Sequence, residues 1–279
     1  MNDALKPGKV YLIGAGPGDP KLLTLRAAEA IGESDIIVYD HLVNPEVLAH
    51  SRRGAELIYV GKRGGEPSIS QSQINQLLIA RAQSAQIVAR LKGGDPFIFG
   101  RGGEEAEALA DANVQFEVVP GVSSGIAAAA YAGIPLTHRD YSSSVAFITG
   151  HDAAHGKRPA VDWSIAAHAA DTLVIFMCAQ TIAAIAREII ASGRTPATPI
   201  AIIRWGTYRH QEVFIGTLAA LVAADEMSEG GLTIEPPAIA VIGDVVRLAD
   251  KLAWFGASQF EHLLGAAAAP LTSDQLEFV

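Results

Sequence analysis

Cysteine is almost absent from this chain, because Cys178 is the only one among 279 residues. A single cysteine excludes an intrachain disulfide and is typical of proteins from a reducing compartment. The first ten residues, MNDALKPGKV, lack the apolar core of a signal peptide. No apolar run reaches the ~18 residues that a membrane span needs. We therefore expect a cytoplasmic protein without a membrane segment.

Positive charge is also scarce, since 21 Lys and Arg stand against 30 Asp and Glu and give a formal net charge of −9. No long basic face is visible, which argues against general nucleic-acid binding. An anionic ligand would need local contacts, and the candidates for such a site are Arg52, Arg53, Arg63, Arg101 and Arg139. Hydrophobic residues make up 49% of the chain, which is enough for a sizeable core.

Short apolar segments alternate with helical segments along the whole chain. The predicted strands cover residues 10–13, 36–39, 57–60, 87–91, 114–119, 145–149, 173–177, 200–203, 211–215 and 238–242. The predicted helices cover residues 24–31, 45–50, 70–82, 123–132, 181–191, 217–224 and 247–255, and one more begins near Glu104. This alternation is typical of α/β proteins with a largely parallel sheet.

A segment rich in Gly, Pro and Ser follows the helix at residues 123–132 and indicates a domain boundary. We predict an N-terminal α/β domain over residues 1–136 and a C-terminal α/β domain over residues 137–260. Residues 261–279, which are Ala-rich and then polar, are predicted to form a loose tail.

The segment LKGGDPFIFGRGGEE, residues 91–105, gives the strongest signal for a site. It runs from the end of a buried strand through two glycine pairs to the start of a helix, so a ligand can lie against main-chain atoms. Arg101 and Glu104 carry opposite charges in this loop, and a solvated ion pair in a tight connection is the simpler alternative. Polar residues follow other strands too, namely Asp40, Lys62 and Arg63, where open α/β sheets place ligands.

The loop GAGPGD, residues 14–19, partly matches the GxGxxG signature of dinucleotide-binding proteins. Asp40 stands about 20 residues further on, where that signature has a ribose-binding acid. Asp19, however, replaces the third glycine and places a carboxylate where pyrophosphate would lie. Pro17 also removes an N–H that a phosphate would use. A nicotinamide-dependent oxidoreductase is therefore a weak alternative.

Metal and nucleophile signals are weak. The segment HDAAH, residues 151–155, resembles a zinc-binding helix with Asp in place of Glu, but Gly156 and Pro159 leave little helix and no third ligand is evident. No phosphate-binding motif of the form GxxxxGK[ST] is present. Cys178 follows an apolar strand and is interpreted as a core residue. We predict no metal site.

Six segments together resemble the tetrapyrrole methyltransferases, in order and at the spacing of that family, from about residue 9 to about residue 255. They are VYLIGAGPGD (10–19), VYD (38–40), VGKR (60–63), LKGGDPFIFGRGGEE (91–105), VPG (119–121) and GIPLTHR (133–139). The resemblance implies two α/β domains with S-adenosylmethionine in the cleft between them, and a homodimer. It also implies transfer of two methyl groups to carbons of uroporphyrinogen III, which gives precorrin-2 and S-adenosylhomocysteine for sirohaem, cobalamin or haem d1 synthesis.

The resemblance assigns roles by motif position. The residues implied in cofactor binding are Pro17, Gly93, Gly94, Asp95, Ile98, Ser123, Ser124, Met177, Gly206 and the backbone near Ala238. Asp40 and Lys62 match positions for proton transfer. Our own hypotheses are that Arg101, Arg139 and Arg63 hold substrate carboxylates and that Arg101 also steers the proton transfer. We further expect that Glu104 orients Arg101 or accepts a proton and that Met177 lines the methyl-transfer channel.

Two alternatives remain within the same fold. One is a related methylase that acts on a later corrinoid or on a diphthamide precursor. The other is a tetrapyrrole carrier without catalytic activity. The segments 97–103 and 133–139 favour the uroporphyrinogen enzyme over the related methylase, and the intact cofactor motifs argue against the carrier.

Overall fold

The computed structural model of the chain describes residues 8–61, 69–84, 86–150, 161–256 and 260–262. The chain divides into two compact units, Met1–Ala127 and Ala128–Val279, which we describe separately. Both combine helices with a β-sheet, as the alternation in the sequence predicted. None of the helices within the described ranges is long and apolar enough to cross a membrane.

The first unit is built on a five-stranded, fully parallel sheet in the order β3-β2-β4-β1-β5. Its strands are β1 (Lys9–Gly14), β2 (Ile36–Tyr39), β3 (Glu56–Tyr59), β4 (Ile87–Lys92) and β5 (Gln115–Val119). Its helices are α1 (Leu25–Glu33), α2 (Gln71–Gln83) and α3 (Gly102–Asp111), with 3₁₀ turns at Pro20–Leu22 and Pro45–His50. Helix α4 (Ser124–Tyr131) begins in this unit and ends in the second.

The central strand β1 shows why the strands of this sheet are continuous apolar segments in the sequence. Val10 and Leu12 pack into the core on one face of the sheet, whereas Tyr11 and Ile13 pack into the core on the other face. Alternate residues of a strand point to opposite faces, so a strand covered on both sides must be apolar throughout. Helices start at side-chain caps, such as Ser70, whose hydroxyl accepts from the backbone N–H of Gln73 at the start of α2.

The second unit has a six-stranded mixed sheet in the order β11-β9-β8-β10-β7-β6. Its strands are β6 (Val145–Thr149), β7 (Thr172–Phe176), β8 (Pro199–Arg204), β9 (Glu212–Thr217), β10 (Ala238–Ile242) and β11 (Phe260–His262). Its helices are α5 (Trp163–Ala166), α6 (Ile182–Ala191), α7 (Leu218–Met227) and α8 (Ala249–Leu252), with a 3₁₀ turn at Asp244–Leu248 before α8.

The second sheet is not largely parallel, unlike the first. Strand β10 runs antiparallel to both β7 and β8, and β8 runs antiparallel to β9. Only seven residues, 205–211, join β8 to β9, and so short a loop forces an antiparallel pair because a parallel pair needs a longer crossover.

Two predictions beyond residue 245 differ from the structure, and one prediction stays open. The helix predicted over residues 247–255 is a 3₁₀ turn followed by α8, which ends at Leu252. Residues 260–262, partly inside the predicted tail, form β11 beside β9, and residues 263–279 lie outside the described residues. The compact units meet within α4, and the domain boundary near residue 136 stays a prediction.

Candidate active site

The carboxyl edge of the first sheet gathers most of the residues that the sequence singled out. Strand β4 lies between β2 and β1, and β5 lies on the far side of β1. The loops that follow these four strands carry Asp40, Gly93–Asp95, Pro17 and Ser123–Ser124. In open α/β sheets, ligands bind at this edge.

Glycines let three of these loops contact one another through their backbones. The Gly16 N–H donates to the Gly94 carbonyl at 3.2 Å, and the Gly94 N–H donates to the Gly16 carbonyl at 2.7 Å. Gly94 has a φ of +69°, which side-chain-bearing residues rarely adopt. A Cβ atom on Gly121 would lie 2.4 Å from the Gly94 carbonyl oxygen and 2.7 Å from the Gly14 backbone. Only glycine fits at Gly121, so the loops after β1, β4 and β5 form one close-packed junction.

Asp95 ties two of the loops together through its side chain. Its Oδ2 accepts from the Gly121 N–H at 3.0 Å, and its Oδ1 accepts from the Phe97 N–H at 2.8 Å. Both carboxylate oxygens are therefore engaged by main-chain donors of the protein. Asp95 thus fixes the shape of the loop that was predicted to bind the cofactor.

Beyond Asp95 the loop carries exposed apolar side chains on a strained backbone. Phe97, Ile98 and Phe99 are exposed, although most apolar residues of the described chain lie in the cores. Phe99 and Arg101 have φ values of 53° and 59°. Such left-handed conformations cost about 1–3 kcal/mol each in residues other than glycine and cluster at functional sites. The loop is thus a candidate ligand-contacting segment.

Arg101 and Glu104 form a bidentate ion pair at the start of α3. Arg101 Nε donates to Glu104 Oε1 at 2.8 Å and Arg101 Nη2 donates to Oε2 at 2.7 Å. The hydrogen bond from Arg101 lowers the pKa of the Glu104 carboxyl, and the bond to Glu104 raises the pKa of the Arg101 guanidinium. Of the two roles predicted for Glu104, this geometry favours orientation of Arg101 over acceptance of a proton.

A buried charge cluster lies behind Asp40, and the sequence analysis missed it. Arg90 and Lys92, both on β4, donate to Oε1 of Glu105 on α3 at 3.1 and 3.0 Å. Gln71 of α2 donates to the same oxygen at 3.0 Å. We define the charge cluster as Arg90, Lys92, Glu105 and Gln71. Arg90 also donates from Nη2 to Asp40 Oδ2 at 3.1 Å, so the cluster reaches the edge of the sheet.

Burial controls the electrostatics of this charge cluster. The side chains of Arg90 and Glu105 are 4% and 0% exposed. Burial, and then the charge of Arg90, lower the pKa of the Lys92 ammonium, while Glu105 works in the opposite direction. The Glu105 Oε2 atom is buried without a hydrogen-bond partner among the described residues. The signal for the cluster was present in the sequence, because Arg90 and Lys92 are two charged residues on one face of a buried strand and need a counter-charge.

Three predicted residues of the second unit also lie at one edge of its sheet. Met177 follows β7, Gly206 follows β8, and Ala238 begins β10, which lies between β7 and β8. The Trp205 N–H donates to the Pro237 carbonyl at 3.2 Å and so joins the Gly206 loop to the start of β10. Met177 is exposed and has a φ of 54°, while Trp205 and Thr207 have φ values of 47° and 73°.

Arg139 lies in a tight turn of the second unit. The backbones of His138 and Ser142 exchange two hydrogen bonds of 2.9 Å, which close the turn and leave Arg139 exposed at its tip. No ion pair of Arg139 is found among the described residues. An exposed guanidinium of this kind is a candidate contact for a carboxylate ligand.

The arginine site proposed from the sequence is not assembled as predicted. Arg52 donates to Asp35 at 2.5 Å and to the Ser34 carbonyl at 3.0 Å, both of which precede β2. Because Asp35 anchors it there, Arg52 lies at the amino end of the sheet. Arg101 lies at the carboxyl end. Lys62 and Arg63 lie outside the described residues, so their roles stay predictions.

The other motifs have ordinary structural explanations where they are described. Asp19 accepts from the Lys21 N–H at 2.9 Å and caps the 3₁₀ turn Pro20–Leu22. Cys178 is buried, and burial raises the pKa of its thiol to about 12, which makes it a poor nucleophile. The segment 151–155 lies outside the described residues, and no group of three metal-ligating side chains occurs within them.

Comparison with known sequences shows which protein family the chain is similar to. A family profile described as "Tetrapyrrole (Corrin/Porphyrin) Methylases" matches residues 9–222. Siroheme synthase 1 of Yersinia enterocolitica is 51% identical over 249 residues, which cover 89% of this chain and 51% of that protein. The chain thus spans about half the length of the siroheme synthases that it matches. Uroporphyrinogen-III C-methyltransferase of Priestia megaterium is 48% identical over 86% of this chain and 99% of that protein.

Solved structures agree with this comparison. Uroporphyrin-III C-methyl transferase from Thermus thermophilus, solved with S-adenyl homocysteine, has a TM-score of 0.72 and 38% identity over 86% of this chain and 99% of its own. A cobalt precorrin-4 methyltransferase has a TM-score of 0.71 and 27% identity over 85% of this chain and 95% of its own. Diphthine synthase, at 17% identity and a TM-score of 0.56, shares the fold.

Proposed function

This chain belongs to the tetrapyrrole (corrin/porphyrin) methylases, and we propose that it methylates uroporphyrinogen III at two carbons with S-adenosylmethionine as the methyl donor. The products are precorrin-2 and S-adenosylhomocysteine. The observation that carries the proposal is the near full-length match to the Priestia megaterium uroporphyrinogen-III C-methyltransferase. The lower identity to the cobalt precorrin-4 methyltransferase favours the uroporphyrinogen substrate over a later corrinoid.

The close-packed junction of the loops after β1, β4 and β5 suits the proposed methyl donor. Pro17, Gly93 and Ser124 on its loops are partly exposed, and the apolar side chain of Ile98 is exposed in the loop after β4. S-adenosylmethionine has polar and apolar parts and carries an already activated sulfonium methyl, so the reaction requires no nucleophile from the protein. We propose that Pro17, Gly93, Gly94, Ile98, Ser123 and Ser124 contact it in the first unit, and that Met177, Gly206 and Ala238 contact it in the second. Asp95 supports these contacts by holding the loop.

The charged residues have separate proposed tasks. Arg101, oriented by Glu104, and Arg139 bind carboxylates of the substrate, since a guanidinium binds a carboxylate through two parallel hydrogen bonds. Arg63 is proposed to assist them. Asp40 takes up the proton that the macrocycle must lose after methylation, with Lys62 as its predicted partner. Met177, which is exposed, is proposed to line the methyl-transfer channel.

The test is an anaerobic incubation of the purified protein with S-adenosylmethionine and uroporphyrinogen III, read by the mass of the product. A gain of two methyl groups is the expected result. No gain, with S-adenosylhomocysteine still bound tightly, would move the substrate to another tetrapyrrole. No gain and no S-adenosylhomocysteine binding would refute the proposed activity.

We also propose a homodimer, as the family resemblance implies. Light scattering on the purified chain is expected to give about twice the chain mass of 29.2 kDa. A mass equal to that of one chain at micromolar concentration would contradict this proposal.

A further inference from the structure

The charge cluster behind Asp40 has no part in the roles proposed above. Glu105 is fully buried, and one of its oxygens accepts from Arg90, Lys92 and Gln71. Burying several charges costs desolvation free energy and is weak evidence for a stabilising role. We therefore considered which side chain the charge cluster holds in position.

Arg90 connects the charge cluster to Asp40 through a rigid set of hydrogen bonds. Its Nε donates to Glu105 at 3.1 Å, its Nη1 to the Leu91 carbonyl at 2.8 Å, and its Nη2 to Asp40 Oδ2 at 3.1 Å. The guanidinium is planar, so fixing two of its nitrogens also fixes the direction of the third. Asp40 Oδ1 accepts from the Leu42 N–H at 3.2 Å, so both carboxylate oxygens are held.

The distribution of charge also points from the charge cluster to Asp40. Arg90 and a protonated Lys92 carry two positive charges, and Glu105 supplies one negative charge. The Asp40 carboxylate supplies the second negative charge, and its side chain is 24% exposed. Gln71 of α2 adds a donor but no charge. Asp40 is thus the partly exposed end of an otherwise buried, balanced set.

We infer that Arg90 is a positioning residue that holds the Asp40 carboxylate in one orientation for proton transfer, and that Glu105 and Lys92 act by fixing Arg90. The inference rests on the proposed function, in which Asp40 takes up the substrate proton. A catalytic base has to lie within hydrogen-bond reach of the proton that it removes. A displacement of about 1 Å can lower a rate by about 100-fold, which gives the scale of the effect.

The test is a double-mutant cycle on the rate of a single methyl-transfer turnover. Arg90→Lys keeps the positive charge but loses the fork, and it is expected to lower the rate about 100-fold. The KM for S-adenosylmethionine is expected to stay within about twofold of wild type, because Arg90 acts through Asp40. In an Asp40→Asn background the same substitution is expected to change the rate by no more than about twofold. Equal loss in both backgrounds would overturn the inference.

Arg52→Lys is the matched control, because Arg52 also binds an aspartate next to β2, but at the amino end of the strand. Its rate is expected to equal that of wild type. If Arg90→Lys does not fold, Arg90→Gln replaces it in the cycle, since Lys92 and Glu105 then balance each other. A wild-type rate in a folded Arg90 variant would also refute the inference. If the wild-type protein transfers methyl groups but the effects of the two substitutions are additive, only the inference is refuted. If the wild-type protein transfers no methyl group, the proposed function is refuted as well.

Discussion

Replacement of Glu105 by Gln tests the electrostatics of the charge cluster most directly. The substitution keeps the size of the side chain but leaves Arg90 and Lys92 without their buried counter-charge. Breaking a buried ion pair by removing one partner costs about 3–5 kcal/mol. We expect Glu105→Gln to lower the free energy of opening of β4 and α3 by about this amount, measured by peptide-resolved hydrogen–deuterium exchange.

Glu104→Gln provides the matched control on the neighbouring residue. Glu104 is 52% exposed, and its ion pair with Arg101 lies at the surface. Exposed ion pairs contribute about 0–1 kcal/mol, so this variant should leave the opening free energy nearly unchanged. Similar losses in both variants, or a loss below about 1 kcal/mol in Glu105→Gln, would refute the reasoning.

The pH dependence of the Glu105→Gln variant gives a second check. The pKa of Lys92 in the folded protein lies below its usual value because of burial, so the unfolded chain binds more protons between the two pKa values. Folding stability therefore rises with pH across that interval. Glu105 raises the pKa of Lys92, so its removal shifts the start of this rise to lower pH. The penalty of Glu105→Gln is expected to become smaller as the pH rises toward the ordinary Lys pKa of 10.5.

Three further predictions follow from other contacts. Gly121→Ala places a Cβ 2.4 Å from the Gly94 carbonyl oxygen and should destabilise the first unit by about 1–3 kcal/mol in hydrogen-exchange experiments. It should also weaken S-adenosylhomocysteine binding in calorimetry. The control Gly103→Ala meets no atom within 4 Å and should be neutral or stabilising. Hydrogen bonds from Arg26 and then Lys9 lower the pKa of the Glu117 carboxyl from 4.5 to about 2. The ionised carboxylate therefore stabilises the fold, and this contribution should be lost as the pH falls from about 4.5 through about 2. Glu117→Gln should flatten the dependence of unfolding free energy on pH in that range. Arg101→Lys loses the bidentate geometry and should lower kcat/KM for uroporphyrinogen III about 10- to 100-fold, and an unchanged value would remove Arg101 from the proposed site.

The strands were predictable because burial on both faces leaves a continuous apolar run, as in β1 and β4. The directions of the strands in the second sheet were not, because an apolar run does not encode the direction of its neighbours. The antiparallel pair β8–β9 is the exception, because the short loop between these two strands implies it. The antiparallel pairing of β10 with β7 and β8 has no such signal in the sequence. The ion pair of Arg101 with Glu104 was predictable from its spacing along the chain.

The charge cluster escaped prediction because Arg90 and Lys92 sit inside a segment whose other residues are apolar. Their partner Glu105 is 13 residues beyond Lys92, and its adjacent residue Glu104 gives the same sequence signal while lying at the surface. Which of two neighbouring glutamates points inward depends on how α3 packs against the sheet. Likewise, only the packing shows that Arg52 binds Asp35 at the amino end of the sheet.

The shared oxygen of Glu105 also constrains how this protein can change over generations. Any single replacement of Arg90, Lys92 or Glu105 leaves buried charges out of balance or a buried carboxylate with fewer donors. An apolar core of the same volume is often as stable as a buried ion cluster, yet every path to it passes through a less stable intermediate. The three positions should therefore behave as one inherited unit, and homologous chains are expected to replace them together rather than one at a time.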